Sequence, residues 1–184
     1  MDTLIPTLIP ADWPQRDSCT CRNLLEGLPA PDLPLVAFTQ QVEPMLVYIG
    51  PERLAWLGLS AAEVEARAVE NLARQPSEWR TVQHATPSGA WLALEVHEGP
   101  LAAERILDSG ALRQLGADRV GSQSLALATP YRGLLLATSA AMALETELTN
   151  VVRALYEEAR ETGAMALTPR VFLAEQGTLV GMLS

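Results

Sequence analysis

SLALATPYRGLLLATSAAMALETELTNVVRALYEEARE, residues 124–161, is the stretch whose reading decides the fold. Its first half holds two short β-type runs, 124–129 and 133–138, separated by Pro130-Tyr131-Arg132, which is turn chemistry between strands. Leu134, Leu135 and Leu136 are continuously apolar, the pattern of a strand covered on both faces. The second half changes period. Over residues 141–161, Leu144, Leu148, Val151, Val152, Leu155 and Ala159 recur at helical spacing and predict one amphipathic helix. A hairpin followed by a helix is therefore the unit of construction.

Working outward, the same phrase recurs. Residues 79–84 and 91–97 alternate, with Leu92, Leu94 and Val96 on one face and Trp91, Glu95 and His97 on the other, around Pro87-Ser88-Gly89. Gly99-Pro100 opens a predicted helix through Asp108, proline suiting the first helical position, and Ser109-Gly110 is read as its close. Further upstream, β-type runs at 35–39 and 45–49 lead to Ser60-Ala61-Ala62-Glu63, a capping box. The helix it starts, 60–75, carries Val64, Ala68 and Leu72 on one stripe and stops before Pro76. Downstream, 170–174 and 178–182 flank Glu175-Gln176-Gly177 as a closing hairpin. The expected fold class is α+β: a mainly antiparallel sheet of recurring strand-strand-helix units, with helices on one face.

Residues 1–34 differ in composition. Pro6, Pro10, Pro14, Pro29, Pro31 and Pro34 resist a continuous helix or a central strand, so this stretch is read as a proline-rich arm. Leu4, Leu8, Trp13 and Leu24 are too apolar for a solvated tail and predict that the arm packs on the body, a single α+β domain over 35–184.

Composition narrows the chemistry. All thirteen basic residues are arginine, and there are two histidines and two cysteines. Without lysine there is no Schiff-base or phosphate-loop lysine. A net charge of −9 and a pI near 4.7 argue against nucleic acid and anionic membrane as partners. The first residues carry no basic leader, and the longest apolar stretch, 133–144, is too short to span a bilayer as a helix. The expected compartment is the cytoplasm, where few cysteines suit a reducing medium. No G-x-G-x-x-G, Walker A, H-E-x-x-H or G-x-S-x-G pattern occurs, so no cofactor is expected.

Three blocks, MLVYIGPERLAWLGLSAAEVEARAVENLAR, HEGPLAAERIL and ATPYRGLLLAT, in this order and spacing, resemble the YtpQ-like family of uncharacterised bacterial proteins, a domain of unknown function. The resemblance runs over about residues 35–183. It implies a fold and brings no activity, cofactor or partner with it. In that family the turn before the buried strand reads proline, any residue, arginine, then a carboxylate; Pro130, Tyr131 and Arg132 match, and Gly133 stands where the acid would be.

Two constellations could carry chemistry. Cys19 and Cys21 with His84 and His97 complete the count of ligands for a tetrahedral zinc site, against which stand the short Cys-x-Cys spacing and the separation of the histidines. Unpaired structural thiols are the simpler reading, and no metal is expected. Glu95 and His97 share a predicted strand face one helix before Arg105, so His97 is the candidate general base of a hydrolase-type enzyme. The competing reading of that face is ordinary solvated charge pairing. With 48% hydrophobic residues and a mean hydropathy of +0.12, the leading expectation is a non-catalytic binding or adaptor domain that forms a homodimer, with a protein partner as the other binding target. The alternatives are the His97 enzyme and an acidic chaperone.

Overall fold

The computed structural model describes residues 4–27, 31–42, 45–76, 79–85, 91–98, 101–145 and 147–183, with backbone alone for 83–85 and 91–98. The chain divides into two compact units, Met1–Pro76 and Ser77–Ser184. Both are α+β, and every strand ladder is antiparallel.

The first unit is a small sheet of β1 (Leu4–Ile9), β2 (Cys21–Asn23), β3 (Leu35–Val42) and β4 (Met45–Tyr48), followed by α1 (Pro51–Leu57) and α2 (Ala61–Ala73). The stretch read as an arm thus supplies two strands. Pro6 is accommodated because β1 is an edge strand, where a missing amide donor breaks no ladder. β3 pairs with β1 over residues 35–40, with β2 over 35–37 and with β4 over 39–42. Thr39 and Gln40 pair with both β1 and β4, so β2 and β4 follow one another along the side of β3 opposite β1. Buried Leu4, Leu8, Val36 and Phe38 form one part of the core, and Val64, Ala68 and Leu72 are the buried stripe of α2. Asn71 pins α2 to the sheet, its Nδ2 donating to the Leu4 carbonyl at 2.9 Å. The capping box forms as expected: the Glu63 amide donates to Ser60 Oγ, and the Ser60 amide to Glu63 Oε2 at 2.8 Å.

The second unit is a six-stranded sheet with the order β10-β9-β7-β8-β6-β5. Its strands are β5 (Trp79–Ala85), β6 (Trp91–Glu98), β7 (Ser124–Ala128), β8 (Leu134–Ser139), β9 (Val171–Glu175) and β10 (Thr178–Met182). The three hairpins predicted over these residues all form. Gln176 and Gly177, both at positive φ, make the two-residue turn that matches the twist of β9 and β10. Glycine is needed at 177 for a second reason: a Cβ there would collide with the Ser109 carbonyl.

Helices connect these hairpins: α3 (Ser109–Leu115), α4 (Ala140–Glu145) and α5 (Leu148–Thr162). Ala126, Ala128, Leu134, Leu136 and Val171 meet Ala143 of α4 and Leu148 and Val152 of α5 in one cluster. Each buried leucine or valine there contributes about 1.5–3 kcal/mol. Residues of the opposite strand parity, Leu125, Leu127, Leu135, Ala137 and Phe172, are fully buried too, so both faces of the central strands are covered. The segment between β6 and β7 supplies buried Ala103, Ile106, Leu112 and Leu115, and its 3-10 turn lies against β8.

Two helical expectations change. The helix predicted to close at Ser109-Gly110 is a 3-10 turn, Ala103–Leu107, and α3 starts at Ser109. The reason is Asp108, whose Oδ1 accepts from the Ala111 amide at 2.9 Å and caps α3. The single helix predicted over 141–161 is two, because Glu147 adopts φ 55 before α5 begins. Leu144, placed on the apolar stripe by its spacing, is 71% exposed on the far side of that break.

Candidate functional site

The residues singled out in the sequence are distributed over both units. Glu95 and His97 lie on β6, where the register sets them opposite Ala137 and Leu135 of β8, both fully buried. The side chains of Glu95, His97 and His84 lie outside the described residues. Arg105 is 2% exposed, and Nη1 donates to Asp108 Oδ2 at 3.3 Å. Burial lowers the Arg105 guanidinium from its ordinary value, and the neighbouring Asp108 carboxylate opposes that shift. Its charge is engaged in holding the turn that leads into α3.

Next to it, the fully buried Glu104 faces Arg132 at 3.8 Å. The carboxylate facing Arg132 therefore comes from the AERIL block, while Gly133 follows the arginine in sequence. Glu104 and Arg105 are thus adjacent residues of the AERIL block, the first facing the half-buried Arg132 and the second paired with Asp108, and an ion pair at the depth of Arg105 fixes geometry more than it adds stability.

Cys19 and Cys21 are free thiols in the first unit. Cys19 Sγ donates to the Arg16 carbonyl at 3.2 Å, and Cys21 Sγ reaches the same oxygen at 3.8 Å. Burial, reinforced by Cys21, pushes the Cys19 thiol up to about 11, which makes it a poor nucleophile and a poor metal ligand at neutral pH. Among the described residues no three metal-binding side chains cluster.

A cleft lies in the first unit. Ser18, Tyr48, Gly50, Pro51, Glu52, Arg53 and Trp56 line an open volume of about 730 Å³. Local sequence explains its floor. Gly50 must be glycine because a Cβ would collide with the Ser18 carbonyl, and Pro51 with its fixed φ starts α1. One wall is Tyr48, whose ring packs on Trp13 with centroids 4.6 Å apart. The other is Trp56, 70% exposed, with the Arg53 guanidinium 4.2 Å above its ring. Arg53 Nε and Nη2 both donate to Gln40 Oε1, at 3.2 and 2.7 Å.

Most of these cleft residues lie in the first of the three sequence blocks, yet none was a candidate site residue, because Gln40 and Arg53 meet through the β3–β4 register and the turn at Gly50. The available signal was compositional: Trp56 stands one position before the end of a short helix with no buried stripe of its own. Beside the cleft, the end of the β3–β4 hairpin exposes Val42 (40%), Met45 (61%) and Leu46 (43%). In the second unit, Leu144 and Val180 are exposed singly, as is ordinary for surface apolar residues. Among the described residues no helix is long and apolar enough to cross a membrane. No protein-family model, curated protein or solved structure matches the chain.

Proposed function

We propose that this chain is a non-catalytic binding module that self-associates, using β4 as the pairing edge. What supports the reading is that β4, unlike the other edge strands, carries no charge, proline or bulge within its own four residues. β1 carries Pro6, β2 carries Arg22 paired with Glu65 at 2.6 Å, β5 carries Arg80, and the β9–β10 register shifts between Leu179 and Gly181. Met45–Tyr48 has neither charge, proline nor bulge, and its apolar side chains emerge on both faces. Two copies of β4 related by a two-fold axis would satisfy both open edges and bury Met45 and Leu46, and the pairing would stop at a dimer.

Membership of the YtpQ-like family and a cytoplasmic, bacterial setting belong to the same proposal; they rest on the three sequence blocks and on composition. Hydrolysis through His97 stands on Glu95 and His97 sharing a strand, and a chaperone role on charge alone. Sedimentation velocity at micromolar concentration tests the leading reading. The native chain is expected as a dimer of 19.8 kDa protomers in low and high salt, since burial rather than charge drives the contact. Leu46→Glu is expected to leave a monomer. A native chain that sediments as a monomer in both salts overturns the reading.

A further inference from the structure

The geometry points to the Tyr48–Trp56 cleft as a binding site for an apolar carboxylate, its anion on Arg53 and its hydrocarbon body against Trp56 and Tyr48. The decisive feature is how Arg53 is held. In a chain of net charge −9, a surface arginine has carboxylates available, and Arg22, Arg74 and Arg160 each take one. Arg53 does not: among the described residues its partners are the neutral Gln40 amide and the indole of Trp56. Stacking and the double donation to Gln40 Oε1 fix the guanidinium plane, and the fork retains N–H groups beyond the two used on Gln40. A positioned guanidinium without an ion-pair partner among the described residues is the arrangement that receives a carboxylate at little cost in side-chain ordering.

The rest of the cleft selects an apolar body. Trp56 leaves most of its surface open to solvent, and Tyr48 is braced from behind by Trp13. A volume of about 730 Å³ lies within the range of small-molecule sites, about 300–1,000 Å³. Glu52 also lines the cleft and is exposed. Its carboxylate opposes a bound anion, which gives the proposal a second handle: removing that charge strengthens binding.

Two sources offer this chemistry, a free aryl or branched-chain acid and the C-terminal carboxylate of a peptide ending in an apolar residue. The test follows the Trp56 indole N–H resonance by NMR, assigned through Trp56→Phe, during titration of the full-length chain. The probes are phenylacetate, its neutral analogue phenylacetamide, and acetyl-Ala-Ala-Phe as free acid and as amide. The expected result is a saturable shift with at least one acid and a tenfold or greater weakening for the matching amide. Arg53→Gln abolishes the shift, and Glu52→Gln tightens binding by about two- to fivefold, the scale of one nearby like charge in a solvated site. Tighter binding of the peptide acid assigns the chain terminus, and tighter phenylacetate a free acid. Equal binding of acid and amide, an unaltered titration in Arg53→Gln with an unchanged melting temperature, or no shift with either acid at tens of millimolar overturns the inference. Sedimentation of the same samples keeps this outcome separate from that of β4 pairing.

Discussion

Asp108 serves two neighbours with one carboxylate. Oδ1 caps α3 through the Ala111 amide, and Oδ2 receives Arg105, which has almost no contact with water. Asp108→Ala removes the cap and takes the Asp108 carboxylate away from a buried guanidinium, so urea denaturation is expected to show a loss of about 2–4 kcal/mol. Asp108→Asn keeps a capping oxygen and loses less. A change below about 1 kcal/mol in the alanine variant contradicts this account of the turn. Cys19 makes a pH-dependent prediction. Its thiol rises from an ordinary 9.0 to about 11 in the folded chain, so the native state holds this proton more tightly than the unfolded state does. The stability it contributes is fully present below about pH 9 and is lost as pH rises towards 11. Replacing Cys19 with Ala is expected to flatten the decline of unfolding free energy over that window, measured by denaturant titration at each pH. An identical decline in the variant refutes the assignment.

At the scale of elements, what was legible in the sequence was what local chemistry dictates. The hairpins of the second unit and the capped α2 rest on period-two alternation, turn residues and a capping box, all within a few residues of one another. The break before α5 was invisible for the converse reason. Apolar spacing runs on through Leu144 and Leu148, and nothing in a periodicity reports that Glu147 takes a left-handed backbone. Asp108 was misread because an aspartate before Ser-Gly can end one helix or cap the next, and the choice is made by where the Ala111 amide falls. Glu147 is strained, since residues with a Cβ rarely occupy that region. Asparagine tolerates it and is a better cap, so Glu147→Asn is expected to raise stability by about 1 kcal/mol in urea unfolding. A loss of similar size would show that the Glu147 contact to Asn150 outweighs the strain.

Across the whole molecule, the cleft and the open β4 edge belong to one unit and the ion pairs of Glu104 and Arg105 to the other. The division at Pro76 left no mark in composition, whereas the proline-rich stretch that drew attention to 1–34 folds as strands of the first sheet. The prolines misled because an edge strand tolerates them. The sequence-based case for a dimer rested on overall apolar content, yet much of that content is used within the chain, where the central strands of the larger sheet are buried on both faces. The case now rests on the edge of β4, where an uncharged strand exposes Met45 and Leu46. Amide hydrogen exchange across a dilution series tests that edge most directly, because strand pairing between copies protects the backbone amides it uses. The account predicts that protection of amides within Met45–Tyr48 rises with protein concentration in step with dimer formation, and that Leu46→Glu abolishes the rise. Protection of these amides that stays constant from monomer to dimer, or a dimer that survives in Leu46→Glu, would contradict it.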